Sequence, residues 1–159
     1  MKRTTHLCLA NNATNKQYVE MLKDLLKYGK LNINSPPLRV KDIEEITKEL
    51  KNPIKVYTEK EYEYLAEKNA EPKEAVIFYL PEGATSGHFI GVFTDKNNVI
   101  HYGDSLAGLN PVFIHPKNRT VIPVKNAVQN VKTSNCGWLA MLYALTHNKT
   151  KPIDRNSEN

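Results

Sequence analysis

The apolar residues of this chain change their period near residue 74, and no other feature of the sequence constrains the fold as strongly. Before that point they recur every three or four positions, the spacing of one helix face; after it they come in short runs rich in β-branched and aromatic residues, which suit strands. From Asn15 to Lys27, Tyr18, Met21, Leu22, Leu25 and Leu26 predict a helix that Gly29 stops, and Pro36-Pro37 then breaks the chain. Leu38 to Leu50 predicts a second helix, with Val40, Ile43, Ile46 and Leu50 on its buried face and Asn52-Pro53 closing it. Thr58 with Glu61 three residues later has the form of a capping box, opening a short helix that carries Tyr62 and Leu65.

The second half reads as strands at Ala75–Leu80, His88–Thr94 and Val99–Tyr102, the last two joined by a polar hairpin turn at Asp95–Asn98. Thr120–Val124 is an edge strand at most, because Pro123 cannot donate to a ladder. Cys136–His147, with Trp138, Leu139, Met141, Leu142 and Leu145, predicts a mostly buried helix. The expected class is α+β, a small, mostly antiparallel sheet packed against helices. At 159 residues and 40% apolar content the chain suits one domain over 1–150, mainly helical in 1–74 and with its chemistry in 75–150, followed by a polar tail at 151–159.

Several function classes recede on composition. No apolar run approaches the roughly 20 residues that span a bilayer, and Leu7–Ala10 is too short for a signal-peptide core, so no membrane partner is expected. Two cysteines, Cys8 and Cys136, make no disulfide framework; reduced thiols in the cytoplasm or nucleus are the expectation. The net charge of +5 allows a weak nucleic-acid contact, but acidic and basic residues alternate as on a solvated helix face and no recognition motif accompanies them. No Cys/His cluster has zinc-ligand spacing and no glycine loop has phosphate-binding form, so neither a metal nor an organic cofactor is called for.

What remains is thiol chemistry. Thr133-Ser134-Asn135 runs polar and small into Cys136 and an apolar helix, which places the sulfur at a helix N-terminus with Ser134 or Asn135 as cap. Free N–H groups and the positive end of the helix dipole stabilise a thiolate there, and the same N–H groups can receive an oxyanion. Gly137, lacking a Cβ, leaves room for a substrate backbone beside the sulfur. If Thr94 pairs with Asn98, the hairpin sets His88 directly opposite Asp104, close enough for the carboxylate to orient the imidazole. Each of these signals alone is ordinary: a cysteine at a helix start is usually a small buried hydrophobe, and Asp104 after Gly103 suits a turn. Of the other histidines, His101 sits mid-strand in a core or surface role, and His6, His115 and His147 fall in tails or loops.

The order His88, Asp104, Gln129, Cys136, with glutamine seven residues before a Cys-Gly that heads a helix, resembles the adenovirus maturation protease and its relatives, the SUMO- and ubiquitin-like-protein-specific cysteine proteases. His88-Phe89 stands where that family has His-Trp, and Gly103-Asp104-Ser105 where it places its acid. The resemblance covers roughly residues 75 to 147 and departs at Phe89, at Asn135, and in the short segment between Asp104 and Gln129. It implies a fold of the adenovirus protease type and an endopeptidase that cleaves a protein after small residues such as glycine. It also implies that Gln129 donates to the oxyanion, and that Phe89, Gly137 and Trp138 lie on the substrate side. The Asn-, Lys- and Ile-rich composition suits a virus or an AT-rich microbe, so a viral polyprotein and a place in the virion belong to this expectation.

Rival readings differ in substrate or in chemistry. A SUMO or ubiquitin-like-protein deconjugase would share the nucleophile and differ in substrate, and an acyltransferase would share it and change only the acceptor. A protein-binding module would not use the thiol at all. A chymotrypsin-like viral cysteine protease also runs His, acid, Cys, but its paired β-barrels have no counterpart for a helical first half.

Overall fold

The computed structural model describes residues 16–29, 35–80, 87–103, 116–124 and 136–147. Within them lie α1 (16–28), α2 (Val40–Glu49), β1 (Val56–Thr58), α3 (Glu59–Glu67), β2 (Glu74–Tyr79), β3 (His88–Thr94), β4 (Ile100–Gly103), β5 (Val121–Pro123) and α4 (Cys136–Thr146). The class is α+β, as expected. The proposed tail at 151–159 lies outside the described residues.

The five strands form one sheet in the order β1-β2-β3-β4-β5. The sheet is mixed, which corrects the expectation of a mostly antiparallel one: β2·β3 and β3·β4 are antiparallel, but β1·β2 and β4·β5 are parallel. The parallel pair β1·β2 arises because α3 lies between the two strands in sequence and crosses over from one to the other. β1 falls in the part read as helical; three residues between Pro53 and a capping box are too few to show a period. The capping box itself forms, with the Glu61 N–H donating to Thr58 Oγ1 at 3.2 Å and the Thr58 N–H to Glu61 Oε1 at 2.9 Å. That second bond also occupies an outward-facing donor of β1, and the Val56 N–H is taken likewise by the Glu44 carboxylate at 3.0 Å. Both donors on this free edge are thereby closed to a further strand.

Strand alternation splits the core into two layers. Val56, Val76, Phe89 and Phe93 face α1, α2 and α4, while Ala75, Ile77, Ile90, Val92 and Ile100 face Tyr62 and Ala66 of α3. Ile43 and Ile46 of α2 are wholly buried as expected, but Val40, assigned to the same face, is exposed in the first turn. Gly29 ends α1 with φ +68° and its N–H donates to the Leu25 carbonyl at 2.8 Å, a left-handed stop that glycine takes without strain. Buried Thr47 fastens α2 to the chain that follows: its hydroxyl donates to the Ile43 carbonyl at 2.8 Å and accepts from the Ile54 N–H at 2.9 Å.

Helix α4 lies directly on β3. A Cβ added at Gly91 would stand 2.1 Å from the Ala140 carbonyl oxygen, and one at Gly103 would stand 2.4 Å from the Tyr143 ring. Every residue of α4 from Gly137 to Ala144 is buried, so the helix is apolar all round because protein surrounds it.

Candidate active site

Cys136 is the first described residue of α4 and is partly exposed, and the eight residues that follow it are buried. The thiol is free. The expected caps, Ser134 and Asn135, lie outside the described residues, as do Asp104 and Gln129. His88 is the first residue of β3, 4% exposed, with its ring edge-on to that of its cross-strand partner Tyr79 at 5.7 Å.

The two ends meet through their neighbours. A Cβ on Gly137 would lie 3.5 Å from Phe89 Cδ2, so the start of α4 is level with the start of β3. Cys136 and His88 each stand one residue from that contact. Strand alternation sends Phe89 toward α4 and His88 toward Tyr79, so the imidazole leaves the strand on the α3 side.

The hairpin register differs from the one used to pair His88 with Asp104. The structure pairs Gly91 with Gly103 and Thr94 with Ile100, two positions away from a Thr94–Asn98 pairing, so direct opposition of His88 and Asp104 does not follow from it. The turn explains the difference. The Asp95 N–H donates to the Val99 carbonyl at 2.9 Å, the Asp95 carboxylate accepts from the N–H groups of Asn97 and Val99, and Asn98 takes the left-handed conformation at φ +66°. Asparagine tolerates that conformation, and the hairpin therefore closes on Asp95–Val99. A shift of two keeps the parity of the pairing, which a slip of one would have reversed.

The three residues expected on the substrate side have packing roles here. Trp138 is fully buried, its indole N–H donates to the Pro36 carbonyl at 2.8 Å, and Tyr18 meets it edge-on at 5.5 Å, the contacts of a core residue. Phe89 is buried against Phe78, ring centroids 4.8 Å apart. Gly137 is tight rather than open: its added Cβ would stand 3.2 Å from Leu38 Cβ, so the missing side chain accommodates Leu38.

Sequence reasoning missed two clusters at the other end of the sheet. Phe93 is stacked between two imidazoles, His101 at 4.6 Å and 5° and His147 at 4.9 Å and 16°. Each imidazole also has a carboxylate: His101 Nε2 is 2.7 Å from Asp95 Oδ2, and His147 Nε2 meets Glu74 Oε2. The bond to His101, with those from the Val99 and Asn97 amides, holds the Asp95 carboxyl below its usual range. Nearby, Arg119 grips Glu71 through both nitrogens, at 2.6 and 2.9 Å, and donates to the Ala66 carbonyl at 2.7 Å. Burial alone would raise the Glu71 carboxyl, but the Arg119 bonds, the residue's own amide and the Thr94 hydroxyl outweigh it and hold the group low. The pair is almost closed to solvent, with 2% and 4% of the side chains exposed. Glu74, Phe93 and His101 are consecutive partners across three strands, a signal readable only once the strand pairing is known.

Among the described residues no group of three or more His, Cys, Asp or Glu side chains is placed to hold a metal ion, and no helix is long and apolar enough to cross a membrane. No family model, no curated protein and no solved structure matches this chain.

Proposed function

We propose that the chain is a cysteine endopeptidase acting on a protein substrate, with Cys136 as nucleophile, His88 as base, Asp104 as the group that orients His88, and Gln129 as an oxyanion donor. One observation carries the reading: partly exposed Cys136 stands directly before eight buried residues of α4, level with the strand end that bears His88. In the reaction His88 takes the thiol proton as the sulfur attacks the scissile carbonyl, and the carbonyl oxygen becomes an anion facing the Cys136 N–H and Gln129. Collapse of this intermediate breaks the C–N bond, and the His88 proton goes to the leaving amine. Water activated by the same imidazole then releases the acid from sulfur. The chemistry uses no metal or organic cofactor and needs Cys136 reduced, hence a reducing compartment such as cytoplasm or nucleus.

The finer parts of the reading rest on the order and spacing of His88, Asp104, Gln129 and Cys136. These are a fold of the adenovirus protease type, cleavage after small residues, and a viral polyprotein as substrate. A ubiquitin-like-protein deconjugase or an acyltransferase would use the same nucleophile. A protein-binding module without catalysis is favoured by a different observation, the burial of His88 against Tyr79 on the α3 side of the sheet.

A vinyl-sulfone peptide ending in glycine tests the choice. The peptidase reading expects labelling that is lost in Cys136→Ala, falls at least tenfold in His88→Ala and survives in Cys8→Ala. Labelling of Cys136 no faster than that of Cys8 sinks the catalytic reading and leaves the binding module.

A further inference from the structure

Pro36 and Pro37 lie a hundred residues before the proposed nucleophile, yet this segment is seated on the first turn of α4. The Pro36 carbonyl accepts the Trp138 indole N–H at 2.8 Å. Leu38, two residues on, is buried and sits where a Cβ on Gly137 would meet its own Cβ at 3.2 Å and its Cδ1 at 3.3 Å. Phe89 bounds the same turn on the strand side, and Tyr18 of α1 closes over the indole. The first turn of α4 is thus gripped from two directions.

The acceptor is a stiff one. Pro36 has its φ fixed by its own ring, and the proline that follows confines it to extended conformations. Its carbonyl is therefore held by covalent geometry rather than by a flexible side chain. Trp138 follows Cys136 by two residues, about 200° around the helix axis at 3.6 residues per turn. An anchor on that side sets the rotation of α4, and with it the direction in which the Cys136 sulfur points. Replacing the indole by a phenyl ring removes this hydrogen bond and the anchor it supplies on that side of the helix, while the close contacts at Gly91 and Gly137 remain.

We infer that Trp138, through the Pro36 carbonyl, and Leu38, through Gly137, are positioning residues that fix the first described turn of α4, and with it Cys136, at the His88 end of β3. The inference rests on the Cys136–His88 pairing proposed above. It gives the first half of the chain a part in the chemistry, since the clamp on the nucleophile's helix comes from residues 36–38. An error of about 1 Å in such a pairing costs up to roughly a hundredfold in rate.

The test is the alkylation rate of Cys136 by iodoacetamide at pH 6 relative to pH 9, with Cys136 resolved from Cys8 by peptide mass spectrometry. A thiol that shares its proton with an imidazole stays reactive in weak acid, whereas an isolated cysteine does not. Four proteins are compared: wild type, His88→Ala, Trp138→Phe and Tyr62→Phe, the last a buried aromatic of the α3 layer. The positioning role expects the pH 6 to pH 9 ratio to fall at least about tenfold in both His88→Ala and Trp138→Phe. It expects no change in Tyr62→Phe, even at an equal loss of Tm. If His88→Ala lowers the ratio and Trp138→Phe does not, the positioning role is overturned and the pairing stands. If His88→Ala leaves the ratio at its wild-type value, the pairing fails and the positioning role fails with it. Should Trp138→Phe not fold, Leu38→Ala takes its place under the same criteria.

Discussion

Replacing Gly91 by alanine probes the contact that fixes α4 on the sheet. The new Cβ would fall 2.1 Å from the Ala140 oxygen and 3.0 Å from both the Ala140 carbonyl carbon and the Ala144 nitrogen. The oxygen and the nitrogen are the acceptor and donor positions of one helical turn, so the methyl group drives into a backbone hydrogen bond. No rotamer relieves a clash with backbone, and restoring ordinary van der Waals separation requires the helix to lift by about 1 Å. Overpacking of this kind costs about 1–3 kcal/mol, and this case belongs at the upper end because the whole buried face from Gly137 to Ala144 moves together. For a domain of this size that is a fall in Tm of about 5–10 °C. On the proposed Cys136–His88 pairing the same lift misaligns the two groups, so labelling of Cys136 at pH 6 should fall by about one to two orders of magnitude. Thermal melts followed by circular dichroism and the iodoacetamide assay measure the two effects. A variant that melts within about 1 °C of wild type and labels normally would refute the argument that α4 is seated on Gly91.

Two further outcomes concern the acid–base clusters. Arg119→Met leaves the Glu71 carboxylate nearly closed to solvent without its guanidinium, and should cost about 3–5 kcal/mol in urea unfolding; Arg119→Met with Glu71→Leu should recover much of the loss, since a paired apolar replacement leaves no stranded charge. Glu71 and Asp95 both have carboxyls held below their ordinary values of 4.5 and 3.8. Their contribution is therefore full above those values and is lost as pH falls through the lower folded-state values. Glu71→Gln with Asp95→Asn should flatten the stability profile below about pH 4.5, and an unchanged acid limb would count against both assignments.

Much of the fold was legible because its signals are local. The α2 and α3 helices, the Gly29 stop, the Thr58–Glu61 capping box and the full extent of β3 each follow from residues within a few positions of one another. What escaped depends on pairing at a distance. β1 is too short to show a period, and its parallel pairing with β2 is decided by the α3 crossover. The hairpin register turned on whether Asn98 closes the turn or occupies its left-handed position, a choice that Asp95 makes through three hydrogen bonds. Glu71 and Arg119 lie 48 residues apart and read as solvated charges until the sheet brings them together. At the candidate site, a buried helix running on from Cys136 followed from the apolar residues after it, while the inward roles of Phe89, Gly137 and Trp138 depend on Phe78, Leu38 and Pro36, which no local pattern announces.

Helix α4 is held by two kinds of contact, and the difference bears on how firmly Cys136 is placed. Its C-terminus is tied by polar and aromatic contacts: His147 lies on Phe93 and meets Glu74, and His101 covers the other face of the same ring with Asp95 behind it. Close packing on glycines seats the rest of it, on Gly91 and Gly103 and through Gly137 against Leu38, with the Trp138 indole N–H donating to the Pro36 carbonyl. Close backbone packing of this kind cannot be adjusted by rotamers, so it sets position to within a fraction of an ångström. Stacked rings and partly exposed ion pairs tolerate small displacements. The thiol chemistry proposed for Cys136 requires the first kind of support, which the Gly137–Leu38 contact supplies at the residue beside it.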